Sequence, residues 1–373
     1  MMEEEEESSQ FLSELEKLRY EPYYYQEDNI LKSPYFQPIH FLNPSSLFKE
    51  FKKKAEEFRE INKIDGKDLD TVKYCDFSML NEITDGFKKE NFVQKALCGS
   101  LYRGNIRLGS RTQQVLVKTW DFYEIPGRTV DYPVYPSIFS AELNRLIQKE
   151  LKGHDNLVNL IGYCFDKKLA VVYEAKADRV LSQELNSDNF DWDERMKVAL
   201  QLAKFLEWLH DNHILLGALD ASLILLDEEY NVALFELGLH RCVLDPSNGA
   251  STGVLKWIYS IFAPDPVVKD DSDLWTSKSE VFAYGCVLCQ LIMKKYYQSN
   301  CSLSTIARSS FRENQASLVN EDFHVNAAAG YKITELARKC LQHDPVDRVD
   351  MRHVVNFLEQ LTLDQKAKKQ RTN

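Results

Sequence analysis

The sequence predicts an α+β fold of two lobes, a small, mainly β lobe followed by a larger helical one, and three observations carry that expectation. Short apolar runs with strand character, VLVK ending at Lys118 and LAVVYE ending at Glu174, lie in the first half of the chain. Two helical patterns dominate the second half: Asp191 to His210, with Met196, Ala199, Ala203 and Leu206 at helical spacing, and the apolar Ser279 to Ile292. With 373 residues and 44% apolar content the chain can bury a full core, and a prior of roughly 150 residues per domain allows two or three units. The expected division is an N-terminal extension over 1–75, a small lobe over 76–175, a helical lobe over 176–361 and a basic tail, expected to be disordered, over 362–373.

Composition removes several functional classes. A net charge of −11 disfavours a general nucleic-acid binder, which needs a basic footprint. The eight cysteines form no zinc or disulfide framework, and Cys286 and Cys289 fall in an apolar helical run that marks them as core, so reduced thiols in a cytosolic protein are expected. The acidic start, MMEEEEESS, carries no secretory signal and no glycine at position two for myristoylation. The longest apolar run, Val281 to Met293, is shorter than the ~20 residues of a bilayer span and is interrupted by Gln290, so no membrane span is expected.

In the extension, Phe11, Leu12, Leu15 and Leu18 share one helical face. Tyr23, Tyr24 and Tyr25 lie among acids, as a strip covering the core or as a recognition patch. Phe48, Phe51, Ala55 and Phe58 then repeat at three and four residues opposite Lys and Glu, an amphipathic helix that packs on its own lobe or on a partner.

From Asp76 the text DFSMLNEITDGFKKENFV places a short helix ahead of the first long strand. Gln94 to Gly104 follows as QKALCGSLYRG, then Lys118 at the end of its strand with Leu116 two residues before it. Glu142 and Asn144 come next, then HDNLVNLIGYC from His154 to Cys164, and Tyr173 near the end of LAVVYE. ILLGALDASLILLDEEYNVALFELG, from Ile214 to Gly238, is the central stretch. Ser247, Ser251 and Thr252 suit an exposed loop open to modification, and Ala263, Pro264 and Asp265 follow, where resemblance to a known family implies a salt bridge from Asp265 to Arg348.

In these stretches, residues from about 76 to 361 resemble plant receptor-like cytoplasmic kinases. The resemblance implies that Lys118 stands for the lysine that meets the α- and β-phosphates and Glu236 for the acid of the metal-binding turn, with Leu237 in place of its Phe. It also sets Leu216, Gly217 and Ala218 against the His-Arg-Asp of the catalytic loop, Asp220 against its Lys and Leu223 against its Asn. Only the last glycine of the phosphate-covering loop remains, at Gly99, Leu116 crowds the nucleotide slot, and the helical partner of Lys118 falls on Asn144, with Glu142 two residues off and reachable only if the helix shifts. Read without that resemblance, Lys118 is a strand-end lysine reaching solvent.

Methyl and isobutyl groups neither accept a proton nor bind Mg²⁺, so a kinase fold without kinase activity is expected: not an enzyme, with no catalytic residue, no metal, no cofactor, and Lys118 and Glu236 as vestigial nucleotide-site residues. The combination is similar to the ZED- and ZRK-related plant immune pseudokinases. That similarity implies an adaptor in defence signalling that docks on a nucleotide-binding leucine-rich-repeat receptor. Receptor-like cytoplasmic kinases and pathogen effector enzymes would be its other partners, in the cytoplasm or at the plasma membrane through those partners. Two alternatives stand beside it. One is a weakly active or nucleotide-binding serine/threonine kinase using Lys118, Glu236 and Asp220; the other is a conformational regulator that holds nucleotide without turning it over.

Overall fold

Six strands build the first lobe in the order β1-β7-β8-β4-β3-β2: β1 (Lys73–Tyr74), β2 (Phe92–Ala96), β3 (Gly99–Leu108), β4 (Arg111–Trp120), β7 (Leu160–Phe165) and β8 (Leu169–Glu174). A separate two-stranded ribbon, β5 (Glu124–Ile125) with β6 (Arg128–Thr129), follows β4. The computed structural model describes residues 73–96, 99–108, 110–120, 124–125, 128–129, 139, 142–143, 146, 151, 153–165, 168–177, 179–237, 276–297 and 317–372, all within the unit that spans 48–373. The expectations at positions 1–72, at Leu97, Cys98 and Asn144, at Ser247, Ser251 and Thr252, and at 263–265 lie outside the described residues.

The period of two in β4 sorts its side chains between two cores. Val115 and Val117 join Leu80, Ile83, Cys164, Ala170 and Val172 under α1 (Phe77–Ile83), while Leu116 and Trp120 enter the main core. Lys118 lies between Leu116 and Trp120 in that alternation, so its ammonium is carried inward rather than to solvent. Helix α1 forms where the sequence suggested it. Asp76 caps it by accepting from the Met79 amide at 2.8 Å, and Ile83 packs so closely on β3 that a Cβ at Gly104 would lie 2.6 Å from Ile83 Cγ2. One residue is bulged out of β2 between Phe92 and Gln94, which turns Gln94 inward.

The second lobe is helical: α2 (Leu181–Glu184), α3 (Trp192–Asp211), α4 (Ser277–Met293), α5 (Ala327–Cys340) and α6 (Met351–Thr372). Reciprocal capping boxes start α3 at Asp191 and Glu194 and α4 at Thr276 and Ser279. Met196, Ala199, Ala203 and Leu206 are buried, as their spacing predicts. Every residue of α4 from Ser279 to Ile292 is buried, which accounts for a helix apolar almost all round. Cys286 and Cys289 are core residues there, and burial pushes the Cys289 thiol up to about 12. A small sheet, β9 (Arg179–Val180) with β10 (Ile224–Leu226) and β11 (Val232–Leu234), holds the central stretch against these helices. The expected disordered tail needs correction: α6 continues as helix to Thr372. Its Lys, Gln and Arg residues are good helix formers that extend an already nucleated helix without a glycine or proline to stop it. Among the described residues no helix is long and apolar enough to cross a membrane.

Candidate functional site

Three segments distant in sequence meet at Lys118. Its Nζ donates to Glu142 Oε2 and, at 2.5 Å, to Glu236 Oε2, and it lies 4.1 Å from the centroid of the Trp120 ring. All three charged side chains are buried. Glu142 is fixed from its other side by the Tyr173 hydroxyl, which donates to Oε1, and Tyr173 is brought there because β8 pairs with β4 so that it sits opposite Leu116. Burial and then the Glu142 charge hold the Tyr173 phenol well above its ordinary value, so it stays a donor. Burial alone would pull the Lys118 ammonium down, but the carboxylates of Glu142 and Glu236 outweigh it and its pKa is raised.

The structure therefore pairs Lys118 with Glu142, two residues from the position that counting back from His154 indicates, and the solvent-reaching alternative does not hold. Trp120 packs edge-on against Phe139 at 5.1 Å, on the same helical stretch as Glu142, Leu143 and Leu146, and this contact helps fix which face of that stretch meets β4. A lone aromatic–aromatic contact is invisible in a linear sequence, so counting from His154 alone does not select Glu142.

In the central stretch, the positions set against reactive residues are apolar and interior: Leu216, Ala218, Leu223 and Leu237 all belong to the main core. Gly217 is anchored by its amide donating to Glu280 Oε1 at 3.0 Å, while the other oxygen of Glu280 meets His210 Nε2 at 2.9 Å. Glu280, in the first turn of α4, thus ties the loop to both α3 and α4. Asp220 is buried and accepts from the Ser222 amide at 2.8 Å and the Ser222 hydroxyl at 2.7 Å, capping the short turn 221–223. The Ser222 carbonyl in turn accepts from the Gln94 amide, and Gln183 Nε2 donates to the Val93 carbonyl at 3.2 Å, so β2 is bonded to the helical lobe at two points. Nothing in the linear sequence of β2, FVQKA, distinguishes Gln94 from its polar neighbour Lys95; the bulge after Phe92 is what buries it. Glu236 holds a backbone φ of 71°, in the left-handed region that favours glycine.

Magnesium, which the fold implies as companion to a nucleotide, does not fit these donors. Glu236 is engaged by Lys118, the Leu223 side chain offers no oxygen, and among the described residues no group of three or more His, Cys, Asp or Glu could hold a metal ion. Arg348, expected to pair with Asp265, is buried and donates to the carbonyls of Gln342 at 2.8 Å, Lys278 at 2.9 Å and His343 at 3.0 Å.

Comparison with known proteins gives this arrangement its kin. Residues 87–358 match the model of the family described as protein tyrosine and serine/threonine kinase. The chain is 32% identical over 254 residues to the receptor-like kinase LIP2 of Arabidopsis thaliana, a match covering 65% of this chain and 42% of LIP2. It is 30% identical over 310 residues to the probable serine/threonine-protein kinase PBL23 of the same plant, covering 77% of this chain and 75% of PBL23. It is 28% identical over 327 residues to the EPD1-interacting receptor-like cytoplasmic serine/threonine-protein kinase of Nicotiana benthamiana, covering 81% of this chain and 66% of that protein. The chain thus spans less than half the length of LIP2. These relatives overturn the expectation that the chain is not an enzyme, since they bear the names of kinases. The physical reason for the correction is that the expectation weighed single missing groups, whereas phosphoryl transfer depends chiefly on positioning and charge stabilisation, and the charged cluster at Lys118 is assembled.

Proposed function

Since this chain belongs to the protein tyrosine and serine/threonine kinase family, we propose that it is a weakly active, nucleotide-binding serine/threonine kinase of the receptor-like cytoplasmic type. One observation carries the reading: a fully buried Lys118 charged and oriented by Glu142, which is itself fixed by Tyr173. Lys118 would meet the nucleotide's phosphates, with Glu236 as its second anionic neighbour. At Ala218 no side chain can take the substrate hydroxyl's proton, and Asp220, two residues on, is the carboxylate of that loop. A loose transition state demands little of a base, so the rate would rest on Lys118 and be slow. No step is assigned to a metal. Full-length protein given radiolabelled ATP should label itself slowly, and Lys118→Met should abolish the label. Wild-type protein that takes up no label and gains no thermal stability from ATP, with or without magnesium, would overturn the proposal.

The likeness to immune adaptors, with the apolar run Leu216 to Ala218 in the loop, favours a scaffolding role alongside slow transfer. On that reading the protein works in plant defence in the cytoplasm. It docks on a nucleotide-binding leucine-rich-repeat receptor and on other receptor-like cytoplasmic kinases, and pathogen effector enzymes act on the assembly. Pull-downs from plant tissue should recover a receptor or kinase; recovery of neither sinks this role.

A further inference from the structure

The cluster at Lys118 holds one cation and two carboxylates, all interior. Two full negative charges on one ammonium are more than charge balance requires, and like charges in a low-dielectric site repel. The two carboxylates are not equivalent. Glu142 belongs to the helical stretch packed through Phe139 on Trp120 and takes a second bond from Tyr173. Glu236 reaches Lys118 from an irregular segment after β11, on a backbone whose φ of 71° is costly for a residue with a Cβ. A strained backbone persists where surrounding contacts over-determine it, and the Lys118 bond is one such contact.

We infer that Glu236 is an internal competitor for anions at Lys118, its carboxylate sitting where a phosphate of an incoming polyphosphate ligand must lie, so that the ligand binds by displacing it and releasing the left-handed turn. This rests on the nucleotide-binding reading and adds its regulation: the site is self-filled at rest and weak for phosphates by construction. A ligand phosphate approaching with Glu236 in place meets a carboxylate as well as the ammonium. With Glu236 neutralised it meets the ammonium of a balanced Lys118–Glu142 pair. Removing one like charge at contact range is worth at least about tenfold in affinity at the effective dielectric of a protein.

The test uses the full-length protein without metal, titrated calorimetrically with inorganic tripolyphosphate, ATP and adenosine. Glu236→Gln should bind tripolyphosphate and ATP at least about tenfold more tightly than wild type, with adenosine unchanged, because only phosphates compete with the carboxylate. Glu236→Ala, a second variant in case the first is poorly folded, should move in the same direction, and Lys118→Met added to either should remove the gain. Unchanged or weaker binding of tripolyphosphate to both folded variants overturns the inference. Tighter tripolyphosphate with ATP no better than tripolyphosphate, in wild type and variants alike, upholds the competitor and overturns the nucleotide reading instead.

Discussion

Three cations are buried among the described residues, Lys118, Arg195 and Arg348, and the first two are held in opposite ways. Lys118 faces the carboxylates of Glu142 and Glu236, whereas Arg195 faces main-chain carbonyls: Nε donates to Phe190 at 2.7 Å, Nη1 to Leu291 at 3.1 Å, and Nη2 to Leu185 at 2.9 Å and Ser187 at 3.3 Å. The rings of Phe190 and Phe323 lie 4.4 Å and 4.8 Å from its guanidinium carbon. Burial brings the Arg195 guanidinium down to about 10, while the carboxylates raise Lys118. Carbonyl acceptors belong to the backbone and cannot leave, so Arg195 is a structural clasp joining α3 to α4 and the turns before it. Carboxylates on side chains can exchange for other anions. The lysine is therefore the cation suited to chemistry, and the planar fork of arginine is suited to four fixed acceptors.

The difference can be broken at its strong end first. Arg195→Met leaves four inward carbonyls without their donor and should cost about 4 kcal/mol of unfolding free energy, read by urea denaturation. A loss below about 1 kcal/mol would mean that the carbonyls find water and that the clasp is dispensable. Lys118→Met strands two buried carboxylates and should cost about 3 kcal/mol, of which Glu236→Gln added on top restores part. No restoration would show that Glu236 is not stressed by losing its cation.

The comparison sharpens with pH. A folded-state pKa raised above the 10.5 of a free lysine means that the contribution of Lys118 is fully present below that pH and is lost as pH rises through the folded value. The stability gap between wild type and Lys118→Met should hence be flat through neutral pH and shrink only in strong alkali; a gap that shrinks between neutrality and pH 9 would contradict the raised value. The smallest effect belongs to an exposed cation. Arg352, paired on the surface with Glu207 at 3.3 Å and Asp211 at 3.1 Å, should melt almost unchanged as Arg352→Ala, with any difference erased by added salt.

Much of this was legible along the chain. Helical spacing in Met196, Ala199, Ala203 and Leu206 marks a buried face, the run to Ile292 marks a central helix, and the short apolar run VLVK marks a strand. Misreadings arose where a choice depended on a partner far away. Counting along the sequence indicates position 144, whereas the pairing with Glu142 depends on Phe139 meeting Trp120 and on Tyr173 reaching across from β8. Arg195 is hidden in the sequence because a lone arginine in an amphipathic helix looks like a solvated charge; its acceptors lie up to 96 residues away. The charge of the tail suggests disorder, but helix propensity and an existing nucleus carry α6 through it.

What the sequence by itself determined is the order of strands before helices, the apolar faces those elements bury, and the chemical poverty of Leu216, Ala218 and Leu223, because periodicity and side-chain type are properties of a string. What only the tertiary structure decided is that Lys118 is shared between Glu142 and Glu236, 24 and 118 residues away, and that Glu236 accepts a left-handed backbone to be there. Such contacts are set by how helix, sheet and turn pack in three dimensions, and a charge acquires its role from the neighbours that packing supplies.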